Sequence, residues 1–252
     1  MALGHMIKES QPRSGILGTP SAAATRRASA TGRQYRISRG GSTAVVTELA
    51  ATLRSFEVDG VRLSETFADD EVPPYAAGIT LAPWANRIED GRWTLDGTVQ
   101  QLDITEPSLN NAIHGLLRHT GYELLDTAED RVVLEAAVFP QQGYPFLVRH
   151  RVEYTIDDDG GLRVRQSLTN DSSRPAPFVL GAHPYLRPGD VETGELTLTL
   201  AETAAGPRAG GRYGMGNRSD ALTRRRGISA RAPPGAQPAH VEPSPLAFRR
   251  PD

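Results

Sequence analysis

Short runs of alternating apolar and polar residues dominate the chain from about residue 34 to residue 202. The clearest run extends from Phe146 to Ile156, where the apolar side chains of every second residue fall on one face, together with His150. A period of two is typical of a β-strand that buries one of its faces. No long amphipathic helix interrupts these runs. The pattern therefore predicts an all-β fold.

Turn signals separate the predicted strands at regular intervals. Asp59-Gly60 and Asp96-Gly97 each lie between two such runs, which predicts tight hairpins. Three aspartates and two glycines follow Ile156, and the alternation then resumes from Leu162 to Leu168. Many short strands joined by such turns are typical of sandwiches. We expect one large antiparallel β-sandwich over residues 34–202.

The charge distribution argues against a nucleic-acid partner. Residues 34–202 carry 14 basic and 26 acidic side chains, whereas a nucleic-acid-binding domain usually concentrates positive charge. No apolar stretch approaches the ~20 residues of a membrane helix, so we expect a soluble protein without a membrane partner. The chain has no cysteine, which fits a reducing compartment, and we predict a cytoplasmic location.

Both ends of the chain differ from this body. Residues 1–33 are rich in Ser, Ala, Thr, Gly and Arg, and a segment with so few large apolar residues is expected to be disordered. Residues 203–252 contain nine Ala, nine Arg, seven Gly and seven Pro. A GC-rich gene read out of frame would give this mixture, so we interpret the tail as frameshifted or aberrant. A natural disordered tail is the alternative.

Three local motifs stand out in the body, in the order Pro83-Trp84-Ala85-Asn86-Arg87-Ile88, Asn111-Ala112-Ile113-His114-Gly115-Leu116 and Gly181-Ala182-His183-Pro184-Tyr185-Leu186. Together, at these spacings, they closely resemble the aldose 1-epimerase (galactose mutarotase) family. The resemblance extends from about Tyr35 to Glu202. It implies the galactose mutarotase-like form of the β-sandwich, here incomplete at its carboxy-terminal end.

The resemblance also implies a reaction. Interconversion of the α and β anomers of a free hexose opens the bond between C1 and the ring oxygen, which needs a base at the C1 hydroxyl and an acid at the ring oxygen. Neither a cofactor nor a metal is required. By resemblance, His183 is the acid, while His114 and Arg87 hold sugar hydroxyls or assist the ring oxygen. Asn86 and Tyr185, from the same motifs, are further candidates for sugar contacts.

Each of these residues also has a purely structural interpretation. His183 precedes a proline, and its ring could simply bond a local carbonyl. Arg87 could be an ordinary ion-paired arginine, Asn86 a turn residue, and Tyr185 a core aromatic. His150 lies on an apolar strand face and matches no motif, so we interpret it as a core histidine. The joint occurrence of the three motifs favours the catalytic interpretation for His183.

The base is the main departure from the family. In the family it is a glutamate near the carboxy terminus, preceded by an aspartate that binds sugar hydroxyls. After Glu202 this chain offers Glu242 in a segment that only vaguely resembles the family's, much too close to His183 in sequence. We therefore expect little activity. A non-catalytic carbohydrate-binding protein is the alternative function, and a hexose-phosphate epimerase ranks last because the body is acidic. The motifs specify neither the preferred aldose nor the oligomeric state.

Overall fold

A computed structural model describes residues 29–192, Glu195 and the backbone of four short strands that follow. Two 3₁₀ turns are present, Pro74–Ala76 and Pro107–Leu109, and no α-helix occurs among these residues. The strands are β1 Gln34–Arg39, β2 Ser42–Thr47, β3 Leu53–Val58, β4 Val61–Arg62, β5 Thr80–Leu81, β6 Arg87–Glu89, β7 Arg92–Leu95, β8 Thr98–Gln101, β9 Asn111–Ile113, β10 Glu123–Thr127, β11 Arg131–Val138, β12 Val148–Ile156, β13 Leu162–Asn170, β14 Ala176–Phe178, β15 Gly181–Ala182, β16 Thr199–Leu200, β17 Ala230–Ala232, β18 Ala239–Val241 and β19 Leu246–Ala247.

Two larger antiparallel sheets form the sandwich. One has the order β1-β2-β3-β4, and the other has the order β10-β11-β12-β13-β18. Five two-stranded sheets, β14-β17, β15-β5, β16-β19, β6-β9 and β7-β8, complete the described part of the chain. The antiparallel β-sandwich predicted from the alternation is confirmed. The predicted strand from Phe146 is observed as β12, and its buried residues include His150 and alternate with more exposed ones along its whole length.

The two Asp-Gly pairs form the hairpins that the sequence predicts. Asp59 and Gly60 have φ angles of 50° and 77° and connect Val58 to its partner Val61. Asp96 and Gly97 adopt φ angles of 48° and 81° in the same way. Positive φ at both central residues gives a turn whose twist matches that of the flanking strands, and Asp-Gly tolerates it well.

The hydrophobic core lies between the two larger sheets. Ile37 and Val46 from the first sheet and Val152 and Ile156 from the second belong to one buried cluster. Burial of such side chains stabilises each by about 1.5–3 kcal/mol relative to exposure. The described residues include no helix long and apolar enough to cross a membrane.

Most residues at the two ends of the chain, for which disorder or a frameshift is predicted, are not described by the structure. Residues 1–28 and most of residues 203–252, including Glu242, lie outside the described residues. Within the expected tail, β17 pairs with β14, β18 with β13, and β19 with β16. The expected disorder and frameshift of the tail, and the domain boundaries, stay predictions.

Candidate active site

The backbone of His183 is fixed by hydrogen bonds to the segment that leads into β5. Gly181 and Ala182 of β15 pair with Leu81 and Thr80. Immediately after this pair, the His183 amide donates to the Ile79 carbonyl over 3.0 Å, and the His183 carbonyl accepts from the Gly78 amide over 2.8 Å. Both backbone groups of the residue are therefore satisfied. The following proline also favours an extended backbone at His183.

His114 follows β9 in a left-handed conformation, with φ of 63°. Its amide donates to the Asn86 carbonyl over 2.9 Å, and Asn86 is itself left-handed, with φ of 64°. The next residue, Gly115, has φ of 77°, and a Cβ placed there would lie 2.0 Å from the Ala82 carbonyl oxygen. Only glycine fits such a close backbone approach. This contact joins the first two sequence motifs side by side.

Three aromatic side chains from two motifs meet in one group. The rings of His114 and His183 meet edge to face, with centroids 5.2 Å apart and an angle of 83° between their planes. His183 stacks on Tyr185 with centroids 5.3 Å apart and planes inclined by 28°. The Tyr185 hydroxyl donates to the Tyr75 carbonyl over 3.3 Å, while its side chain remains partly exposed. Aromatic faces of this kind are suited to packing against a sugar ring.

Arg87 lies beside this group in a bidentate ion pair. Its Nε donates to Glu106 Oε2 over 2.7 Å, and its Nη2 donates to Oε1 over 2.8 Å. Asn111 also donates to Glu106, over 3.0 Å. The pairing of Arg87 with Ile113, the neighbour of His114, places the ion pair at the site. We call Arg87, Glu106, His114, His183 and Tyr185 the histidine cluster.

The electrostatics of the cluster differ from group to group. Hydrogen bonding from Arg87, more than any other contact, holds the pKa of Glu106 below its usual range. Burial, and after it the charges of His183, Arg118 and Arg87, lower the pKa of His114 to about 4, against a raising effect of Glu106. His114 is therefore neutral at neutral pH. Its Nδ1 is buried and has no hydrogen-bond partner in the part of the chain described.

Comparison with known proteins matches the amino-acid sequence to one family. The sequence model that describes aldose 1-epimerases matches residues 33–203, more than half of the chain. The chain belongs to the aldose 1-epimerase family. The resemblance read from the three motifs is thereby confirmed.

This aldose 1-epimerase family member spans about half the length of YihR and of several structural relatives. The Uncharacterized protein YihR of Escherichia coli K12 is 32% identical over 155 residues, which are 62% of this chain and 50% of YihR. The crystal structure of a GalM/aldose epimerase homologue from C. elegans superposes with a TM-score of 0.55 at 22% identity, over 62% of this chain and 51% of its own. A galactose mutarotase-like protein from Lactobacillus casei gives 0.55 at 20% identity, over 84% and 68%. The two crystal structures establish the galactose mutarotase-like fold.

The structure brings together the predicted site residues that it describes. Arg87, His114, His183 and Tyr185 lie in one cluster, and Asn86 contributes the carbonyl that holds the His114 amide. Their roles toward a sugar stay predictions, and Glu242 lies outside the described residues. Trp84 is buried in the core.

One member of the cluster was not predicted from the sequence. Glu106 belongs to none of the three motifs. Its only signal in the sequence was indirect: if Arg87 is ion-paired, it requires an acidic partner, which the structure shows to be Glu106. Among the described residues, no group of three or more histidine, cysteine, aspartate or glutamate side chains is suited to hold a metal ion.

Proposed function

We propose that this chain binds a free hexose at the histidine cluster and interconverts its anomers by acid–base ring opening. The observation that carries the proposal is the contact between His183, His114 and Tyr185, three residues from two distant motifs, beside the Arg87–Glu106 pair. Family membership supports the same reaction class. The YihR comparison covers only half of that relative, and the histidine cluster is therefore the main support for the activity.

The two histidines suit different tasks in this reaction. His183 is half-buried and stacked on the partly exposed Tyr185, so its ring is held in place while remaining near solvent. We assign His183 as the acid that protonates the ring oxygen, since histidine titrates near the working pH. His114 is neutral, and its Nδ1 has no partner in the part of the chain that the structure describes, so we assign it a hydrogen-bonding role toward the sugar.

The Arg87–Glu106 pair serves binding. Both carboxylate oxygens of Glu106 accept hydrogen bonds from Arg87, and Oε2 also accepts from Asn111. Its lowered pKa makes Glu106 a weak proton acceptor. We therefore assign Glu106 the task of orienting the Arg87 guanidinium toward sugar oxygens. The proton acceptor at C1 must be another group, for which Glu242 is the candidate.

The rate expected for this chain is low. A general base contributes typically ~10²–10⁴-fold to such a reaction, and Glu242 lies in a segment that only vaguely resembles the family's. We expect weak acceleration of mutarotation, measured by polarimetry of freshly dissolved α-D-galactose and α-D-glucose against the spontaneous rate. His183→Ala should abolish it, whereas replacement of the exposed His119 by alanine should leave it unchanged.

A second function is favoured by the way Glu106 is used. Because the acidic group of the cluster is committed to Arg87, the same site can bind a sugar without turning it over. Calorimetric titration with galactose separates the two: binding without acceleration, lost in Arg87→Ala, identifies a carbohydrate-binding protein. Acceleration by several orders of magnitude would instead show that a base is present, and Glu242→Gln would then test its identity. If the protein neither binds galactose nor accelerates mutarotation, the proposal is refuted.

A further inference from the structure

A line of hydrogen bonds connects the core of the sandwich to the strand that precedes His183. The Tyr122 hydroxyl lies 2.7 Å from His150 Nδ1, and His150 Nε2 lies 3.0 Å from Gln166 Oε1. The Gln166 Nε2 group then donates to the Gly181 carbonyl over 3.0 Å. We call Tyr122, His150, Gln166 and the Gly181 carbonyl the polar chain. None of its members belongs to the histidine cluster.

The direction of every bond in the polar chain is determined. A carbonyl only accepts, so the NH₂ group of Gln166 must face Gly181, and Oε1 must face His150. His150 Nε2 therefore carries the ring proton. With a neutral ring, Nδ1 is an acceptor, and the Tyr122 hydroxyl donates to it. Every donor of the line then points toward the site.

Burial enforces this arrangement. His150 is fully buried and Tyr122 is 2% exposed, so neither has water as an alternative partner. Burial also lowers the pKa of His150 to about 4, which keeps its ring neutral at neutral pH. A polar group that loses its partner in such surroundings is strongly disfavoured. The polar chain therefore has one low-energy arrangement of its protons, and in that arrangement the Gln166 amide holds the Gly181 carbonyl in place.

Gly181 is the place where such an anchor matters. The strand β15 has only two residues and pairs with the equally short β5, in a two-stranded sheet separate from the larger one. Gln166 lies on β13 of that sheet, where it pairs with Val152. The bond from Gln166 to Gly181 therefore ties the short strand to the rigid sheet, two residues before His183.

We propose that His150 and Gln166 are positioning residues for His183, acting through the Gly181 carbonyl and the strand β15. The proposal rests on the proposed role of His183 as the acid. His150 contacts neither the sugar nor the reacting atoms and transfers no proton. Its neutral ring orients the Gln166 amide, and the amide sets where β15, and with it the His183 ring, lies relative to His114 and Tyr185.

The test compares variants that break the polar chain at different distances from Gly181. Gln166→Leu removes the bond to Gly181 with little change of volume, whereas Tyr122→Phe removes the far end and leaves that bond intact. Tyr154→Phe is the matched control, because it deletes a buried hydroxyl bond on β12, 2.7 Å to the Ala51 carbonyl, that involves no member of the polar chain and no residue of β15. Thermal unfolding of all three reports the loss of stability.

The decisive readout is the ring of His183, which needs neither sugar binding nor activity. Histidine-labelled protein gives one set of ring signals for each of its six histidines, and His183→Gln assigns the signal of interest. Gln166→Leu should shift the His183 ring signal and its titration midpoint, Tyr122→Phe should shift them less, and Tyr154→Phe should leave them unchanged. If mutarotation is measurable, kcat should fall roughly 5- to 30-fold in Gln166→Leu, with little change in KM.

The outcomes separate this proposal from the proposed function. Unchanged His183 signals in Gln166→Leu, together with a melting temperature lowered as in Tyr154→Phe, would overturn the positioning role and leave the polar chain purely structural. Shifted His183 signals in a protein that neither binds nor converts sugars would support the positioning role and refute the function assigned to His183.

Discussion

His150 and His114 are two buried histidines with similarly low pKa values in different surroundings. Burial lowers the pKa of each to about 4. His150 has partners on both ring nitrogens and lies at the centre of the core. His114 has an Nδ1 without a partner among the described residues and lies against His183, close to the charges of Arg87 and Arg118.

The comparison shows that a perturbed pKa does not by itself identify a functional histidine. Desolvation acts on both rings, whatever the ring is for. Unmet hydrogen-bonding capacity distinguishes them, because buried polar groups are nearly always paired unless something else uses them. This difference supports the proposed ligand-binding role of His114 and the proposed positioning role of His150.

The largest expected effect sharpens this contrast. His150→Leu should lower the free energy of unfolding by roughly 2–5 kcal/mol, because it removes two buried hydrogen bonds at ~1–3 kcal/mol each, leaving the Tyr122 hydroxyl with only its 3.4 Å contact to Thr80 Oγ1. His114→Leu should cost no more than about 1 kcal/mol, since its Nδ1 has no hydrogen bond to residues 29–192 that the substitution would remove. Urea titrations of both variants measure the difference. Equal losses would contradict the distinction drawn from hydrogen bonding.

A second effect should be shared by the two histidines. A folded pKa near 4, below the ordinary 6.5, means that the unfolded state binds protons more readily. Stability is then fully present above pH 6.5 and falls as the pH is lowered toward 4. Between pH 7 and pH 5 the loss should be on the order of 2 kcal/mol per histidine.

Urea titrations across that pH range test the shared behaviour. His150→Leu and His114→Leu should each remove about half of the pH dependence of wild-type stability, while replacement of His119 by leucine should remove much less. A variant whose pH dependence matches that of the wild type would show that the missing histidine is not neutral in the folded protein.

The smallest expected effect concerns the edge of the cluster. Tyr185→Phe deletes one long hydrogen bond at an exposed position and keeps the ring on His183, so stability should change by less than about 0.5 kcal/mol. Tyr185→Ala removes the stacked ring, and galactose affinity should fall about five- to tenfold. Calorimetry of both variants checks this. Equal affinities would show that Tyr185 packs only against protein.

The sandwich could be predicted because its signals are local. Alternation along β12 and the Asp-Gly turns each depend on a few neighbouring residues, and the structure has them as expected. The pairing of β5 with β15 joins residues about a hundred positions apart, Leu81 and Gly181. No periodicity encodes such a long-range pairing, and it was not predicted from the sequence.

The site could be predicted in part for the same reason. His114 and His183 stand out because each lies in a recognisable segment. Glu106 and Gln166 do not, since their importance arises only from what they contact, Arg87 and Gly181. His150 carried a usable signal: a histidine on an apolar strand face must find polar partners, although its sequence position does not name them.

Because the Tyr122 hydroxyl is the donor at the buried end of the polar chain, its proton is a probe of slow hydrogen exchange. Its proton stays on the Tyr122 oxygen and is donated in a hydrogen bond to His150 Nδ1, deep inside the sandwich and out of reach of solvent. Such a proton exchanges with water only when the surrounding sheet opens, so its lifetime reports the frequency of large-scale opening under fully native conditions. The exchange rate of this one proton therefore measures how often the sandwich opens, without any sugar being present.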